Sequence, residues 1–206
     1  MQIDDYVVHI VDDEEPVRKS LAFLLTMAGF TVRVHESATS FLAAAPGMHR
    51  GCLVTDLRMP DMSGVDLLAK LSAANALMPA IVVTGHGDVP MAVAAMKAGA
   101  LDFIEKPFED ELLIEAIKRA AERIGGTPSA TDDTAAIRSR LDQLTERERQ
   151  VLSAVVAGLP NKTVAFDLNI SPRTVEVHRA NVMTKMQAKS LPELVRMTLA
   201  VGIANA

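Results

Sequence analysis

Five polar residues in the first half of the chain have the side-chain types that bind a metal ion and accept a phosphoryl group. Each lies at or just beyond the C-terminal end of a short apolar segment, and they are Asp12, Asp13, Asp56, Thr84 and Lys106. In an open parallel α/β sheet the C-terminal strand ends line one edge, where the ligand crevice forms, so we expect the five to converge. Three carboxylates, a hydroxyl and an ammonium group suit a hard divalent cation with a phosphoryl group better than a nucleophilic triad or a thiolate metal site.

The residue types also suggest individual roles. Mg²⁺ takes oxygen ligands and keeps several waters, and Asp12, Asp13 and Asp56 can supply carboxylates to it. A carboxylate beside a bound cation can accept a phosphoryl group, because the metal screens the repulsion between the two; we assign this role to Asp56, at the end of the predicted central strand. Thr84 is expected to offer its hydroxyl to a phosphoryl oxygen. Lys106 is expected to pair with Asp56 before phosphorylation and with the phosphate afterwards.

The order of local patterns predicts two domains. Strand-like and helix-like patterns alternate five times up to about residue 124, which is typical of a doubly wound α/β fold with a five-stranded parallel sheet. The segment GGTPSATDD then replaces apolar periodicity with glycine, proline and small polar residues, and only helical patterns follow. We predict a first domain at 1–124, a linker at 125–140 in which DTAAIRSRL could form a short helix, and an all-α four-helix domain at 141–206.

Composition narrows the class of protein. The 206 residues include one cysteine, Cys52, which excludes an intrachain disulfide and is typical of a buried residue in a reducing compartment. The chain begins MQIDDY, without the basic start of a signal peptide, and no apolar run reaches membrane-spanning length, so we expect a cytoplasmic protein without membrane contact. Residues 1–124 hold 11 Lys and Arg against 18 Asp and Glu, whereas residues 125–206 hold 10 against 8. The acidic half suits a cation and the slightly basic half suits a polyanion.

The second half has the signals of a helix-turn-helix. Thr145 followed by Glu148 forms a capping box that opens an apolar helix, and a second helix is predicted at about 161–168. Ser171, followed by proline, is an N-cap and first-turn pair for a third, longer helix. A helix, a short turn and a well-capped longer helix in a basic segment predict that the third helix enters the major groove of DNA.

Helical periodicity assigns the faces of this third helix. With Val175, His178, Val182 and Met186 packed inward, the opposite face is free to reach bases. The predicted DNA contacts on that face, at its margin or nearby are Lys162, Arg173, Thr174, Glu176, Val177, Arg179, Ala180, Asn181, Thr184 and Lys185. Glu176 would accept from a cytosine amine, Val177 and Ala180 would touch thymine methyl groups, and Arg173 would bind a guanine or a phosphate. Lys162, Arg179, Lys185 and Lys189 are expected to contact the phosphate backbone.

Four segments of the first half resemble the signature stretches of response-regulator receiver domains, and they are VVHIVDDEE, LVTDLRMPDMSG, IVVTGHGD and FIEKPF. The resemblance spans about residues 6–124 and implies a flavodoxin-like fold. It implies that Asp56 takes phosphate from a cognate sensor histidine kinase, and that Asp12, Asp13, Asp56 and the backbone carbonyl of Arg58 bind Mg²⁺ or Mn²⁺. It also implies a cis peptide bond between Lys106 and Pro107.

The same resemblance implies roles for further residues. Phe103 matches the switch aromatic that turns inward after phosphorylation. Arg58 and His86 match positions that influence how fast water removes the phosphate. Val93 and Lys97 are candidate contacts of a phosphorylation-dependent homodimer.

A second resemblance covers about residues 141–206. The segments LTERERQVL and AGLPNKTVAFDLNISPRTVEVHRANVMTKM are similar to the LuxR/NarL type of DNA-binding domain, and the pairing with a receiver most resembles the two-component activators of nitrogen-fixation genes. This implies double-stranded promoter DNA and RNA polymerase as partners. It also implies that phosphorylation relieves inhibition of DNA binding and promotes dimerisation. Pro160 replaces the serine common before NK in the family, so we expect Asn161 to take over its capping role.

Two other functions stay open. An acyl-phosphate-forming hydrolase of the haloacid dehalogenase type also uses a strand-end aspartate, Mg²⁺, Thr and Lys, but its nucleophile belongs to a DxD motif on the first strand, where this chain has adjacent Asp12 and Asp13. A phosphorylation-independent DNA-binding regulator is the third possibility. The intact set of five polar residues argues against it. We therefore expect a transcription regulator and not an enzyme, apart from self-phosphorylation and self-dephosphorylation.

Overall fold

The computed structural model describes residues 6–45, 51–74, 78–85, 88–125 and 130–203 of the chain. The chain divides into two compact units, residues 1–86 with 98–127 and residues 87–97 with 128–206. Each unit has its own hydrophobic core. Among the described residues, none of the helices combines the length and the apolar character that crossing a membrane requires.

The first unit is built on a five-stranded parallel sheet with the order β2-β1-β3-β4-β5. Its strands are β1 Val7–Val11, β2 Thr31–His35, β3 Gly51–Thr55, β4 Ala80–Thr84 and β5 Asp102–Glu105. Every residue of β3 and β4 is buried, as expected for inner strands of a parallel sheet that is covered on both faces. The reversal of strand order beside β1 gives the doubly wound fold that the alternating pattern predicts, with β3 in the centre.

A helix follows each strand, which is the connection that parallel neighbouring strands need. The helices that follow the strands are α1 Glu15–Met27, α2 Ala38–Ala44, α3 Gly64–Ala73, α4 Val89–Lys97 and α5 Asp110–Gly125. Of these, α4 groups with the second unit. The core of the first unit packs apolar residues of α1 and α5 against the sheet, including Leu25, Leu113 and Ile117, which are fully buried.

Local caps explain where several of these helices begin and end. The Ser37 hydroxyl accepts from Ser40 N–H at the start of α2, and the Ser63 hydroxyl accepts from Asp66 N–H at the start of α3. Gly29 follows α1 with φ +89°, a conformation that L side chains rarely adopt, and so ends the helix.

Only helices follow residue 130 in the described part of the second unit. They are α6 Ala130–Asp142, α7 Glu146–Val156, α8 Asn161–Leu168, α9 Pro172–Met186 and α10 Leu191–Ala200. The last four lie within the predicted four-helix domain, and α6 extends the short helix that we expected in the linker. The domain boundaries at residues 124 and 140 stay predictions.

The helix-turn-helix signals are confirmed, with one exception. Thr145 and Glu148 form the reciprocal capping box of α7, Ser171 caps α9, and Asn169 turns the chain between α8 and α9 in the left-handed conformation. The expectation that Asn161 caps α8 is wrong. Pro160 is the N-cap, with no side-chain hydrogen bond, and the Asn161 side chain is used elsewhere.

Candidate functional site

The predicted polar residues meet at the C-terminal edge of the sheet. Asp12 directly follows β1, Asp56 directly follows β3, Thr84 ends β4 and Lys106 directly follows β5. Lys106 Nζ lies between two of the carboxylates, 3.2 Å from Asp12 Oδ2 and 3.7 Å from Asp56 Oδ1. The topology therefore brings together groups that are up to 94 residues apart in the sequence.

Asp12 is held firmly in this pocket. It is 3% exposed, its Oδ1 accepts the N–H of Glu14 at 2.9 Å, and its Oδ2 accepts from Lys106. Its backbone carbonyl accepts from Arg18 Nη1 at 2.7 Å, a contact that the sequence analysis did not predict. Because both of its oxygens already have donors, Asp12 is a preorganised part of the pocket.

Asp56 lies at the centre of the pocket with its charge only partly compensated. Its N–H donates to the carbonyl of Val11, and its Oδ2 accepts the N–H of Arg58 at 2.6 Å. Burial raises the pKa of Asp56 above its usual range, the Arg58 N–H and Lys106 oppose that rise, and the charges of Asp12 and Asp13 add to it. Burial is therefore the main reason that the charged form of Asp56 is disfavoured, and Lys106 offsets it only in part.

The donor set fits a hard divalent cation. The carboxylates of Asp12 and Asp56 lie beside one ammonium group, the charge of Asp13 adds to the negative side, and all the candidate ligands are oxygen atoms. Within the described residues no three His, Cys, Asp or Glu side chains come close enough to hold a metal by themselves. Mg²⁺ in proteins is usually held by one or two carboxylates and fills its other positions with water and phosphate oxygens. The ligand set Asp12, Asp13, Asp56 and the Arg58 carbonyl stays a prediction.

The remaining predicted pocket residues have different surroundings. Thr84 is 1% exposed, and its carbonyl oxygen accepts the N–H of Lys106 at 2.8 Å. The predicted cis peptide bond between Lys106 and Pro107 is confirmed. Phe103 is half-buried and Arg58 is exposed. His86 lies outside the described residues.

A second buried polar pair lies within the sheet itself. His9 Nδ1 and His35 Nε2 are 3.1 Å apart, and both rings pack against Phe41. Burial, together with the charges of His35 and Arg33, lowers the pKa of His9 to about 4, so the pair is uncharged at neutral pH. Its polar atoms satisfy each other, which makes it part of the core.

In the second unit, α9 has the two faces that its periodicity predicts. Val175, Val182 and Met186 are buried, and His178 is half-buried. Val177 is 54% exposed on the other side of the helix. The other predicted DNA contacts that are exposed are Lys162, Arg173, Glu176, Ala180, Asn181, Thr184 and Lys189. Their contacts with DNA stay predictions.

Two predicted phosphate contacts have partners within the unit. Arg179 Nη1 donates to Asn161 Oδ1 at 2.8 Å, and burial lowers the pKa of this arginine. Lys185 Nζ lies 2.7 Å from Glu148 Oε2, on the carboxylate that completes the capping box of α7. Thr174 is half-buried beside its own N-cap, Ser171.

The two candidate dimer contacts on α4 differ in exposure. Val93 is 2% exposed and Lys97 is exposed. A dimer contact through Val93 therefore requires that this side chain first become accessible.

Comparison with known proteins accounts for both halves of the chain. Residues 8–118 match the response regulator receiver domain, and residues 142–198 match the bacterial regulatory proteins of the luxR family. The chain is 70% identical to the transcriptional regulatory protein FixJ of Rhizobium meliloti strain 1021, over 96% of this chain and 97% of that protein.

Solved structures give the same result. Full-length FixJ from B. japonicum is 47% identical with a TM-score of 0.57, over 95% of this chain and 97% of that one. The structure of FixJ-N is 70% identical with a TM-score of 0.56, over 59% of this chain and 96% of that one. The chain therefore belongs to the FixJ-like two-component response regulators, and it is a transcriptional regulator with a receiver domain and a LuxR-type DNA-binding domain.

Proposed function

We propose that Asp56 accepts a phosphoryl group from a cognate sensor histidine kinase. In this proposal phosphorylation relieves inhibition of the DNA-binding domain, promotes dimerisation and so activates transcription of nitrogen-fixation genes from promoter DNA. The observation that supports it most strongly is the geometry at the C-terminal edge of the sheet, where Lys106 Nζ lies 3.2 Å from Asp12 Oδ2 and 3.7 Å from Asp56 Oδ1, and where burial raises the pKa of Asp56. A buried carboxylate whose charged form is disfavoured gains from a bound cation, which also offsets the negative charge of an incoming phosphoryl group.

The transfer is an in-line displacement at phosphorus. A carboxylate oxygen of Asp56 forms the new P–O bond while the P–N bond to the kinase histidine breaks, and the imidazole leaves with its electron pair and takes up a proton. Asp12, Asp13, Asp56 and the Arg58 carbonyl would hold Mg²⁺, which would supply positive charge that offsets repulsion between the carboxylates and the phosphoryl oxygens. Lys106 adds a second positive charge, and the Thr84 hydroxyl donates to a phosphoryl oxygen after transfer.

Coupling to the second domain is a shift between two populations. Movement of the Thr84 hydroxyl towards the phosphoryl group vacates space beside β5, and Phe103 moves inward to fill it. The change then favours a homodimer, with Val93 and Lys97 of α4 as candidate contacts. Phosphate shifts the equilibrium only by as much as it binds one state more tightly than the other.

An exposed apolar stripe on α1 is a candidate docking surface for the kinase. Phe23 and Met27 are 71% and 73% exposed and lie one turn apart on the helix that begins beside Asp12. Phe23→Ser should slow transfer from the phosphorylated kinase by about tenfold without changing labelling by a small phosphodonor. Leu112→Ser, on the 45% exposed Leu112 of α5, is the matched control. Equal loss with both donors would assign Phe23 to folding or to the pocket instead.

DNA binding and assembly test the proposal as a whole. Wild-type protein and Asp56→Asn are treated with a small phosphodonor and Mg²⁺, then compared by analytical sedimentation and by footprinting on genomic DNA. The proposal expects a dimer and new protected sites only for the phosphorylated wild type. A phosphorylated sample that stays monomeric and protects no additional DNA would contradict it.

Two further expectations concern the chemistry of the protein and its location. We expect only self-phosphorylation and self-dephosphorylation, so small phosphomonoesters should not be turned over. Robust turnover that Asp56→Ala abolishes would favour the hydrolase alternative. Binding of promoter DNA implies that the protein acts in the cytoplasm, where RNA polymerase is a further partner.

A further inference from the structure

Two cationic side chains tie the C-terminal end of α9 to the segment that joins α6 and α7. Lys185 Nζ donates to Glu148 Oε2 at 2.7 Å and to the carbonyl oxygen of Gln143 at 3.3 Å. Arg140 Nη1, on α6, donates to the carbonyl oxygen of Met186 at 3.3 Å. The last carbonyl groups of a helix have no partner within it, so Arg140 satisfies one that α9 leaves open.

Glu148 connects two helices through one carboxylate. Its Oε2 accepts the N–H of Thr145 at 2.8 Å, which closes the capping box of α7, and the same oxygen accepts from Lys185. The Glu148 side chain is 4% exposed and that of Lys185 is 34% exposed. An ion pair that is buried on its acidic side fixes geometry well, because loss of either partner leaves a charge with little solvation.

Helix α6 is part of the same packed core. Ile137 of α6 and Leu144 of the following turn are buried in one cluster with Val182 and Met186 of α9. Arg149 of α7 holds that turn by donating to the carbonyl oxygens of Leu144 and Asp142. The luxR-family match begins at residue 142, so almost all of α6 lies outside the segment that the family describes.

We propose that Arg140, Glu148 and Lys185, together the α9 clamp, set the position of the reading helix in the major groove. Lys185 is then a positioning residue and does not contact phosphate, contrary to the expectation from sequence. The inference rests on the proposed function in one respect, namely that α9 reads DNA. Helix α6 begins just after the last residues of the first unit in the sequence. A displacement of α6 would therefore reach α9 through the clamp without any contact with DNA.

The test separates positioning from phosphate contact by salt dependence. Full-length protein, phosphorylated by a small donor, is titrated with a duplex that the wild type has enriched from a random-sequence library, and with poly(dI-dC) as non-specific duplex. The variants are Arg140→Gln and Lys185→Gln. The control is Arg138→Gln, which removes the same charge from an exposed position of α6.

If the α9 clamp positions the reading helix, Arg140→Gln and Lys185→Gln should each weaken binding to the enriched duplex by about three- to tenfold. Their affinity for poly(dI-dC) should change little. The slope of log K against log salt stays at the wild-type value, and Arg138→Gln binds as the wild type does. Lys185→Arg, which keeps a cation opposite Glu148, should keep most of the wild-type affinity, and unchanged binding of Lys185→Gln to poly(dI-dC) would show that its loss does not come from unfolding.

Other outcomes overturn the inference in distinguishable ways. A salt slope lower by about one unit for Lys185→Gln on both duplexes would make Lys185 a phosphate contact. An Arg140→Gln variant that binds like Arg138→Gln would remove α6 from the clamp. Failure of the phosphorylated wild type to enrich any sequence would refute the proposed function itself, and the clamp with it.

Discussion

Two buried carboxylates, each with a lysine nearby, behave in opposite ways in the two units. Burial raises the pKa of Asp56, whose Oδ1 is 3.7 Å from Lys106 Nζ. The hydrogen bonds from Lys185 and from the Thr145 N–H lower the pKa of Glu148. The side chain of Asp56 is 12% exposed and that of Glu148 is 4% exposed, so exposure to solvent does not by itself separate them.

At Asp56 the effect of burial on the pKa outweighs that of the partners, whereas at Glu148 the hydrogen bonds of the partners outweigh burial. The single ammonium group of Lys106 lies near the carboxylates of both Asp56 and Asp12, and Asp13 adds a further negative charge to the pocket. Glu148 has a lysine of its own and a backbone N–H in ideal capping position. A structural ion pair stabilises the charged form, whereas a phosphoacceptor keeps a destabilised charge that a ligand can relieve.

The largest loss of stability is expected at Gly64, which packs closely against the backbone of Asp56. A Cβ atom at Gly64 would meet the backbone carbonyl oxygen of Asp56, and nothing lies within 4 Å of one at Gly85. Gly64→Ala should therefore destabilise the first unit by about 1–3 kcal/mol and slow labelling of Asp56. Tyr6 is the only tyrosine and the chain has no tryptophan, so near-ultraviolet signals in urea titrations report on this unit. Equal stabilities for Gly64→Ala and the control Gly85→Ala would contradict the packing argument.

A smaller effect is expected at Glu148. Glu148→Gln keeps an acceptor for the Thr145 N–H but leaves Lys185 without its partner, so stability should fall by about 1–2 kcal/mol at pH 7. Because the folded pKa lies below the ordinary value of 4.5, the wild type loses this stabilisation as the pH falls below that value. Far-ultraviolet thermal melts between pH 7 and pH 3 should show the two proteins converge. Asp167→Asn, an exposed change on α8, serves as control, and a constant difference at every pH would refute the assignment.

The smallest expected change in stability is a gain and not a loss. Asp56→Asn removes a charge that the folded pocket disfavours, so the first unit should gain about 1 kcal/mol at pH 7, or a few degrees in Tm. The gain should disappear below the ordinary pKa of 3.8, where wild-type Asp56 is protonated in the folded and unfolded states alike. Thermal melts of the wild type and Asp56→Asn, followed through the near-ultraviolet signal of Tyr6, measure this gain in stability. Glu36→Gln, at an exposed position, is the control. A loss of stability at pH 7 would mean that the Asp56 charge is well compensated.

Features set by short stretches of sequence could be predicted. Thr145 and Ser171 cap their helices as expected, because a capping side chain needs only the N–H groups two or three residues ahead. The meeting of Asp12, Asp56 and Lys106 also followed from sequence, since parallel topology alone brings strand ends to one edge.

Partners across the tertiary structure could not be predicted in this way. Asn161 looked like a cap, but its side chain accepts from Arg179, 18 residues away on α9. Lys185 lies on a basic helix, and periodicity gives its approximate face without revealing Glu148, 37 residues earlier. The donor from Arg18 to the Asp12 carbonyl left no signal beyond a cation in the first turns of α1. Such pairs depend on how helices pack, which no local pattern specifies.

The intact mass of the protein after treatment with a small phosphodonor and Mg²⁺ tests the central claim most directly. If Asp56 is the phosphoacceptor, we expect one added phosphoryl group on the wild type, mapped to Asp56 by peptide analysis, and none on Asp56→Asn. An unmodified wild type, or equal labelling of the two proteins, would contradict it.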